Sequence, residues 1–306
     1  MNYYFAPLEG ITGFVYRNTY EKHFGGIQKY FSPFITTNQH FAMQNREKRD
    51  VLPENNQGLY LVPQIMSNHA EQFVDMARKL ADLGYTEINL NLGCPSKTVV
   101  MKKKGAGFLA YPEELNEFLE EIFWKCQDME ISIKTRIGME DEQEFERLLK
   151  IYNRYPLKEL IVHPRLQTDY YNNHPKMEVF RECLKNSKAP VCYNGDLFTT
   201  DDIRRFQDEF PEVSCVMLGR GILKAPGLLR ELQGKERDLK SWYAFLSELC
   251  EAYEKELSGD TNVLYKMKEH WYYLFMSLPE CEKEKKAMRK VRDLDSYKLL
   301  VRSILE

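Results

Sequence analysis

The sequence predicts an α/β fold: a (β/α)₈ TIM barrel followed by a C-terminal all-α helical domain. Strand-like runs alternate with helical patterns up to about residue 233, and no strand-like run follows residue 235. A doubly wound sheet more often stops at five or six strands, so eight runs favour the barrel. The eight runs are residues 3–8, 29–35, 59–65, 87–93, 131–137, 159–165, 190–195 and 215–220.

The connecting segments have the spacing of amphipathic helices. Over residues 71–84, Phe73, Ala77 and Leu80 fall on one face, and the pattern over residues 112–126 opens with Pro112 at a favoured first position. Three further helical patterns fill the end of the chain, with breaks at Gly234, residues 258–259 and Pro279. We therefore predict a barrel domain over residues 1–235 and a helical domain over residues 236–306.

Composition narrows the class of protein. The 306 residues carry a net charge of −3, but residues 261–306 hold ten basic against seven acidic residues. The seven cysteines form no C-x-x-C pair, which argues against a zinc site and favours reduced thiols. The longest stretch without Asp, Glu, Lys or Arg, residues 55–70, is too polar to span a membrane. The first residues do not resemble a signal peptide, so we expect a cytoplasmic protein with no metal and no membrane partner.

Polar residues stand at the carboxyl ends of the predicted strands. They include Gln64, Asn91 with Cys94, Lys134 with Arg136, His163 with Arg165, residues 194–196 and residues 219–221. In a barrel this end carries the active site, whereas apolar residues earlier in each strand form the core. The pattern predicts a ligand site there.

The last two strands indicate a phosphate ligand. Their ends read YNGD and LGRG, so Gly195 and Gly219 let backbone N–H groups approach oxygens while Arg220 adds charged donors. The alternative is that both glycines serve only as turn residues. No G-x-G-x-x-G follows a strand, which favours a mononucleotide over a dinucleotide.

Lys134 ends the run ISIKTRIG among apolar residues, so it needs an anionic partner. A cation there could stabilise negative charge on an electron-accepting ring such as reduced flavin. The alternative partner is a neighbouring carboxylate of the barrel.

The segment NLNLGCPSKTVVMKKKGAGFLA, residues 89–110, closely resembles the active-site signature of the dihydrouridine synthases. APLEGIT, PQIM, KTRIG, VHPR, YNGD and LGRG follow the order and spacing of the same family, and the C-terminal helices resemble its RNA-binding domain. The resemblance implies FMN at the barrel end, NAD(P)H as reductant, and reduction of the C5=C6 bond of uridine in tRNA.

The resemblance also implies residue roles. Cys94 would donate a proton, as a thiol that is mostly protonated near neutral pH can do. Asn91 and Arg136 would face the uracil. The first loop departs from the family pattern at Glu9 and Gly13, which leaves the substrate subtype open. FMN would contact Pro7, Leu8, Glu9, Gln64, Lys134 and His163 and, through its phosphate, Asn194, Gly195, Asp196, Gly219 and Arg220.

Two basic groups could contact RNA phosphates. Lys102, Lys103 and Lys104 follow the Cys94 segment, and a second group lies in the helical domain near Trp271 and Tyr272–Tyr273. The alternative is that both are solvated helix faces. The second group comprises Lys266, Lys268, Lys283, Lys285, Lys286, Arg289, Lys290 and Arg292.

Two other functions stay open: a small-molecule FMN oxidoreductase of the dihydropyrimidine or dihydroorotate type, and an RNA-binding barrel without redox chemistry. Several properties stay open at this point: the position of the reduced uridine, the choice between tRNA and rRNA as substrate, the choice between NADH and NADPH, and the oligomeric state. The six other cysteines, Cys126, Cys183, Cys192, Cys215, Cys250 and Cys281, are expected to be small core residues.

Overall fold

The structure is a computed structural model that describes residues 1–40 and 42–306. Within these residues ten strands form one sheet. They are β1 (Asn2–Phe5), β2 (Lys29–Phe31), β3 (Ile35–Thr36), β4 (Leu61–Val62), β5 (Gln64–Met66), β6 (Glu87–Leu92), β7 (Glu130–Gly138), β8 (Leu160–Leu166), β9 (Val191–Tyr193) and β10 (Cys215–Leu218).

The sheet is an eight-stranded barrel in which two strands are interrupted. The strand order is β3-β5-β6-β7-β8-β9-β10-β1-β2-β4. β2 and β3 are two parts of the second barrel strand, and β4 and β5 are two parts of the third. Because β2 pairs in parallel with β4 and β3 pairs in parallel with β5, the second and third barrel strands join the two ends of this order and close the barrel. Pro33 and Pro63, which lack an N–H, lie at the interruptions. The predicted TIM barrel and its eight strands are confirmed.

Helices follow most strands and fill the C-terminal part. The face predicted for α3 is the buried one, with Phe73, Ala77 and Leu80 in the core. The helices of the described residues are α1 (Phe14–His23), α2 (Asn45–Val51), α3 (Ala70–Asp82), α4 (Lys97–Val100), α5 (Pro112–Lys125), α6 (Glu144–Tyr152), α7 (Met177–Asn186), α8 (Thr200–Glu209), α9 (Arg220–Lys224), α10 (Leu228–Leu232), α11 (Leu239–Glu256), α12 (Asp260–Leu274), α13 (Glu282–Lys290) and α14 (Leu294–Leu305), with 3₁₀ helices at Pro53–Asn55, Gly105–Ala110 and Phe275–Ser277.

The last predicted helix is in fact two helices. α13 ends at Lys290, and Asp293 starts α14 by accepting a hydrogen bond from the backbone N–H of Ser296 at 2.7 Å. An Asp at this position satisfies a backbone donor that has no partner within the helix. None of the helices in the described ranges is both long and apolar enough to span a membrane.

The chain forms two compact units. The strand unit holds Met1–Pro7, Gln28–Asp196 and Pro211–Met217, and the helical unit holds Leu8–Ile27, Leu197–Phe210 and Leu218–Glu306. In the helical unit α1 packs on α11, where the rings of Phe24 and Phe245 lie 5.3 Å apart. Helices from the barrel repeats thus join the C-terminal helices in one unit, and the domain boundary at residue 235 stays a prediction.

One lysine and two glutamates form a largely buried ion-pair cluster at the amino ends of the strands. Lys29 Nζ lies 2.8 Å from both Glu87 Oε1 and Glu159 Oε1. Burial lowers the pKa of Lys29, but the hydrogen bonds and charges of Glu159 and Glu87 outweigh burial and raise that pKa above its ordinary value. The positive charge of this lysine is therefore compensated by carboxylates within the fold.

Candidate active site

The carboxyl ends of the strands, called the mouth below, carry a chain of buried amides. Asn91 Nδ2 donates to Gln64 Oε1 at 2.7 Å, and Gln64 Nε2 donates to Asn89 Oδ1 at 2.8 Å. Asn91 Oδ1 accepts the backbone N–H groups of Gly93 and Cys94, each at 3.0 Å. The barrel interior thereby holds the loop that carries Cys94. The predicted contacts of Gln64 with FMN and of Asn91 with uracil stay predictions.

Asn89 belongs to this chain but was not predicted as a site residue. Its Nδ2 donates to Ser132 Oγ at 2.8 Å on the neighbouring strand. Asn89 precedes Asn91 by two residues, so both side chains lie on the same face of β6. This alternation of asparagines in an otherwise apolar strand was the available signal.

Gly105 packs directly against the Cys94 loop, and Gly107 packs against the end of α4, the helix that follows this loop. The backbone N–H of Ala106 donates to the Cys94 carbonyl at 3.0 Å, which brings the 3₁₀ helix close. Gly105 has a φ of +54°, and a Cβ there would lie 2.9 Å from the Cys94 carbonyl oxygen. A Cβ at Gly107 would lie 2.6 Å from the Val100 carbonyl oxygen. The G-A-G sequence therefore shapes the loop in which Cys94 lies half-buried.

Arg136 is buried and joins the loop after β6 to the end of β8 and the loop that follows β8. Its Nε donates to the Gly93 carbonyl at 3.0 Å, its Nη1 to the Leu166 carbonyl at 2.7 Å and its Nη2 to the Tyr170 carbonyl at 2.7 Å. Burial lowers the pKa of Arg136 from its ordinary value. Its predicted uracil contact stays a prediction, whereas its structural role follows from these three bonds.

Lys134 lies half-buried on β7, and its Nζ has no hydrogen bond or ion pair with any residue in the described ranges. Burial, followed by the charge of Arg136, lowers the pKa of Lys134 to about 8. The alternative that Lys134 pairs with a barrel carboxylate is therefore wrong within those ranges. Lys134 is also the register partner of Asn91 across β6 and β7, which puts it beside the strand that leads into the Cys94 loop.

His163 lies in an ionic cluster at the mouth. Arg165 Nη1 lies 2.9 Å from His163 Nε2 and 3.1 Å from Asp196 Oδ1, and its Nη2 also pairs with that carboxylate. A guanidinium only donates, so His163 Nε2 accepts and the proton of a neutral ring lies on Nδ1. The carboxylate of Asp196 is committed to Arg165. The contacts of His163 with FMN and of Asp196 with phosphate stay predictions.

The side chain of Tyr193 leaves no room for a Cβ at Gly195. A Cβ at this position would lie 2.0 Å from Tyr193 Oη, so the turn after β9 accepts only glycine without rearrangement. Asn194 Nδ2 donates to the Met217 carbonyl at 2.8 Å, which ties the same turn to β10. The packing of Gly195 explains this glycine without a ligand, and the phosphate contacts of Asn194 and Gly195 stay predictions.

Other predicted flavin residues belong to the helical unit. Gly219 precedes α9, and the Arg220 guanidinium lies 5.2 Å from the centre of the Phe198 ring. Leu8 is half-buried and Glu9 is exposed. Pro7, in the strand unit, is half-buried. The flavin contacts of all five predicted residues stay predictions.

The three lysines after the Cys94 loop differ in their surroundings. Lys103 Nζ lies 3.2 Å from Glu114 Oε1, and Lys104 Nζ donates to the Thr37 carbonyl at 2.7 Å. Burial and the charge of Lys102 lower the pKa of Lys104. The exposed side chain of Lys102 has no hydrogen-bond or ion-pair partner among the residues described. Of the three, only Lys103 pairs with a carboxylate in the described ranges, and Lys102 is the exposed lysine without any partner there.

The basic group of the helical unit divides in the same way. Lys266 donates to the Gly10 carbonyl, Lys268 to the Val291 carbonyl, each at 2.6 Å, and Lys285 pairs with Glu282. The others are exposed and, within the described part of the chain, have no ion-pair partner. These uncompensated cations are Lys283, Lys286, Arg289, Lys290 and Arg292.

The cysteines away from the mouth follow the prediction with one exception. Cys126, Cys183, Cys192, Cys215 and Cys250 are buried, whereas Cys281 is half-buried just before α13. The expectation that Cys281 is a core residue is wrong because it ends a turn at the surface of the helical unit. In the described ranges no three or more His, Cys, Asp and Glu side chains form a group that could hold a metal ion.

A parallel barrel with a held cysteine loop and an uncompensated lysine at its mouth has the architecture of a barrel enzyme. The sequence pattern of the family described as "Dihydrouridine synthase (Dus)" matches residues 4–301. The chain belongs to this family, and the resemblance stated from the sequence is confirmed.

Relatives cover most of the chain. It is 27% identical to the tRNA-dihydrouridine(16) synthase of Aquipseudomonas alcaligenes, with 78% of each chain covered. It is 26% identical to a probable tRNA-dihydrouridine synthase of Staphylococcus epidermidis, which covers 82% of this chain and 78% of the relative. It is 25% identical to tRNA-dihydrouridine synthase B of Escherichia coli, with 74% of this chain and 70% of the relative covered.

Solved structures share the fold. An old yellow enzyme homologue from Zymomonas mobilis superposes with a TM-score of 0.53 at 12% identity, covering 79% of this chain and 92% of the other. Morphinone reductase in complex with tetrahydroNAD gives a TM-score of 0.51 at 12% identity, covering 79% and 90%. At this identity the likeness supports the barrel fold alone.

Proposed function

We propose that this protein is a tRNA-dihydrouridine synthase, which uses FMN and NAD(P)H to reduce the C5=C6 bond of a uridine in tRNA. The observation that carries the proposal is the pairing of two features at the mouth. Cys94 lies on a loop held by Asn91, and the register partner of Asn91 is Lys134, whose charge is uncompensated. Membership of the dihydrouridine synthase family and similarity to tRNA-dihydrouridine synthases support the same activity.

The residues of the mouth suit a flavin. A half-buried lysine without a carboxylate partner is unfavourable by itself and favourable beside an anionic ring edge. We propose that Lys134 stabilises that edge, that Gln64, His163 and residues 7–9 also contact the flavin, and that residues 194–196 with Gly219 and Arg220 bind its phosphate. FMN, when bound, supplies the hydride that reaches C6 of the uracil.

Cys94 completes the reduction in this proposal. Its thiol gives a proton to C5, so that C5 and C6 each gain one hydrogen and the thiolate regains a proton from solvent. The loop must hold the sulfur steady for this step. Asn91, Arg136 and Gly105 supply that support through the contacts described above.

The uridine must leave its stack to reach the mouth, at a cost of a few kcal/mol. Contacts between phosphates and uncompensated cations can offset this cost. Lys102 beside the Cys94 loop and the cations of α13 are the candidates. A cytoplasmic location stays a prediction.

The proposal is tested with purified protein reconstituted with FMN and supplied with NADPH or NADH. Unmodified tRNA, uracil and orotate are offered separately. Dihydrouridine in RNA is measured by mass spectrometry of nucleosides, and reduction of the small molecules is measured by the consumption of NADPH or NADH. We expect product on tRNA and none from the small molecules. Turnover of the small molecules alone would support the small-molecule oxidoreductase instead, and a protein that cannot be reconstituted with FMN would support the non-redox RNA-binding barrel.

A further inference from the structure

An open cavity of about 390 Å³ lies between α12 and α13 in the helical unit. Its floor is apolar and consists of Trp271, Phe275 and Met288, all of which are buried. Tyr272 and Met276 form its edge, with 66% and 48% of their surfaces exposed. The volume lies in the range of pockets that bind small organic groups.

The floor offers apolar contact and little hydrogen bonding. The indole N–H of Trp271 donates to Tyr297 Oη at 3.0 Å, so it is already used within the core. Exposed aromatic rings such as Tyr272 are surfaces on which any base can stack, because every base has a π face. A group that enters the cavity would therefore be recognised by stacking and shape.

Positive charge surrounds the cavity. Lys268, Lys285 and Arg289 contribute to its lining. Arg289 has no ion-pair partner among the residues that the structure describes, and the same holds for Lys286 and Lys290 on the same helix. An apolar slot rimmed by cations, of which Arg289 has no ion-pair partner in the described part of the chain, complements a ligand that joins a flat apolar ring to an anion.

We propose that this groove binds one unstacked nucleobase of the RNA substrate, with the flanking phosphates on the cations of α13. The inference rests on the proposed function and assigns a second point of contact on tRNA, apart from the uridine that is reduced. Because the contact is by stacking, we expect it to tolerate any base at that position.

The test is tRNA binding by the full-length protein with Tyr272→Ala. Tyr272 is largely exposed, so truncation leaves the core intact. We expect the Kd for an unmodified tRNA transcript to rise at least about fivefold, since stacking on an aromatic side chain has that effect or more. The dependence of log Kd on log salt should stay unchanged, because no charge is lost. Tyr272→Phe should retain the wild-type Kd.

Tyr265→Ala is the matched control. Tyr265 lies on the same helix and is 62% exposed, but it does not line the cavity. Its Kd should equal that of the wild type. Equal Kd values for Tyr272→Ala and wild type would overturn the inference and leave the groove to another occupant such as a protein segment.

Failure of the inference and failure of the proposed function give different results. If the wild type forms dihydrouridine on tRNA but Tyr272→Ala binds tRNA as tightly, the groove assignment is wrong and the proposed function stands. If the wild type neither binds tRNA nor forms dihydrouridine, the proposed function is wrong and the groove assignment falls with it.

Discussion

The two ends of the barrel hold a lysine in opposite ways. At the amino ends, Lys29 is bound by Glu87 and Glu159. At the mouth, Lys134 has no such partner within the described ranges, and burial lowers its pKa to about 8. The first arrangement contributes to the fold, whereas the second leaves a charge that, in the proposed function, the flavin compensates. The two ends of the barrel therefore differ in whether the protein itself compensates a lysine.

Replacing each lysine by methionine should reveal this difference with the largest effect. Lys134→Met should lower dihydrouridine formation at least about a hundredfold, because a charged donor at the reacting ring is lost. Its Tm should not fall, since an unfavourable buried charge is removed. Activity assays and thermal unfolding of the same preparation measure both.

Lys29→Met is the matched control and should behave in the reverse manner. It leaves Glu87 and Glu159 buried without a cation, which costs about 3–5 kcal/mol of unfolding free energy. The enzyme that remains folded should keep its activity. A loss of stability in Lys134→Met comparable to that of Lys29→Met would contradict the distinction between the two ends.

The pH dependence of flavin binding and of stability should follow from the pKa of Lys134, which is about 8. Binding of reduced FMN, whose ring carries the negative charge, needs the protonated lysine, so the Kd for reduced FMN should rise as pH increases above about 8, by up to tenfold per unit. The stability of the protein without flavin should change in the other direction. The unfolded lysine keeps its proton above pH 8 while the folded one loses it, so this group adds stability as pH rises.

Anaerobic absorbance titration of reduced FMN from pH 6.5 to 9.5 checks this expectation. In Lys134→Met the part of the pH dependence that belongs to this lysine should disappear. An unchanged pH profile in the variant would show that another group controls flavin binding.

The glycines of the two ends provide a smaller test. Gly105 at the mouth and Gly58 before β4 both have positive φ, at +54° and +80°, but only Gly105 is crowded, by Cys94. Both alanine variants bear the cost of a positive φ, about 1–3 kcal/mol. Gly105→Ala should also displace the Cys94 loop and reduce the rate of dihydrouridine formation about tenfold, because a shift of about 1 Å is costly at a reacting centre.

The rates of dihydrouridine formation by the two variants, measured below their unfolding temperatures, test whether the position of the Cys94 loop limits the reaction. Gly58→Ala should keep the wild-type rate since its Cβ would meet no atom within 4 Å. Equal rates for both variants would mean that the position of the Cys94 loop does not limit the reaction.

Surface lysines should give the smallest effect. Lys102→Gln at the mouth removes an uncompensated charge, so the Kd for tRNA should rise a few fold and the salt slope should fall by about 0.7–0.9. Lys158, near the amino ends, pairs with Glu130 at 2.7 Å, and Lys158→Gln should leave both quantities unchanged. Titrations at several salt concentrations distinguish the two variants.

The sequence was sufficient to predict the barrel and to single out Cys94 as a candidate. Buried parallel strands are continuous apolar runs, and eight of them with helices between have few alternative folds. Cys94 lies in a contiguous motif, so it could be recognised without knowledge of the register.

The partners of the polar residues could not be predicted in the same way. Lys29 and Lys134 both lie on barrel strands, and only the closed sheet brings two carboxylates to Lys29 and none to Lys134. Asn89 was missed because its role depends on Gln64, which is 25 positions away and pairs with it across β5 and β6. Strand register and burial, which the sequence does not state, determine these contacts.

The most direct test of the account is the rate of dihydrouridine formation at saturating tRNA and NADPH by Cys94→Ala, with Cys281→Ala as control. We predict a loss of about 10²- to 10⁴-fold for Cys94→Ala, with the Kd for tRNA unchanged, because the proton donor is removed. Cys281, half-buried before α13, should be replaceable without loss. A wild-type rate in Cys94→Ala would contradict the assignment of Cys94 as the proton donor.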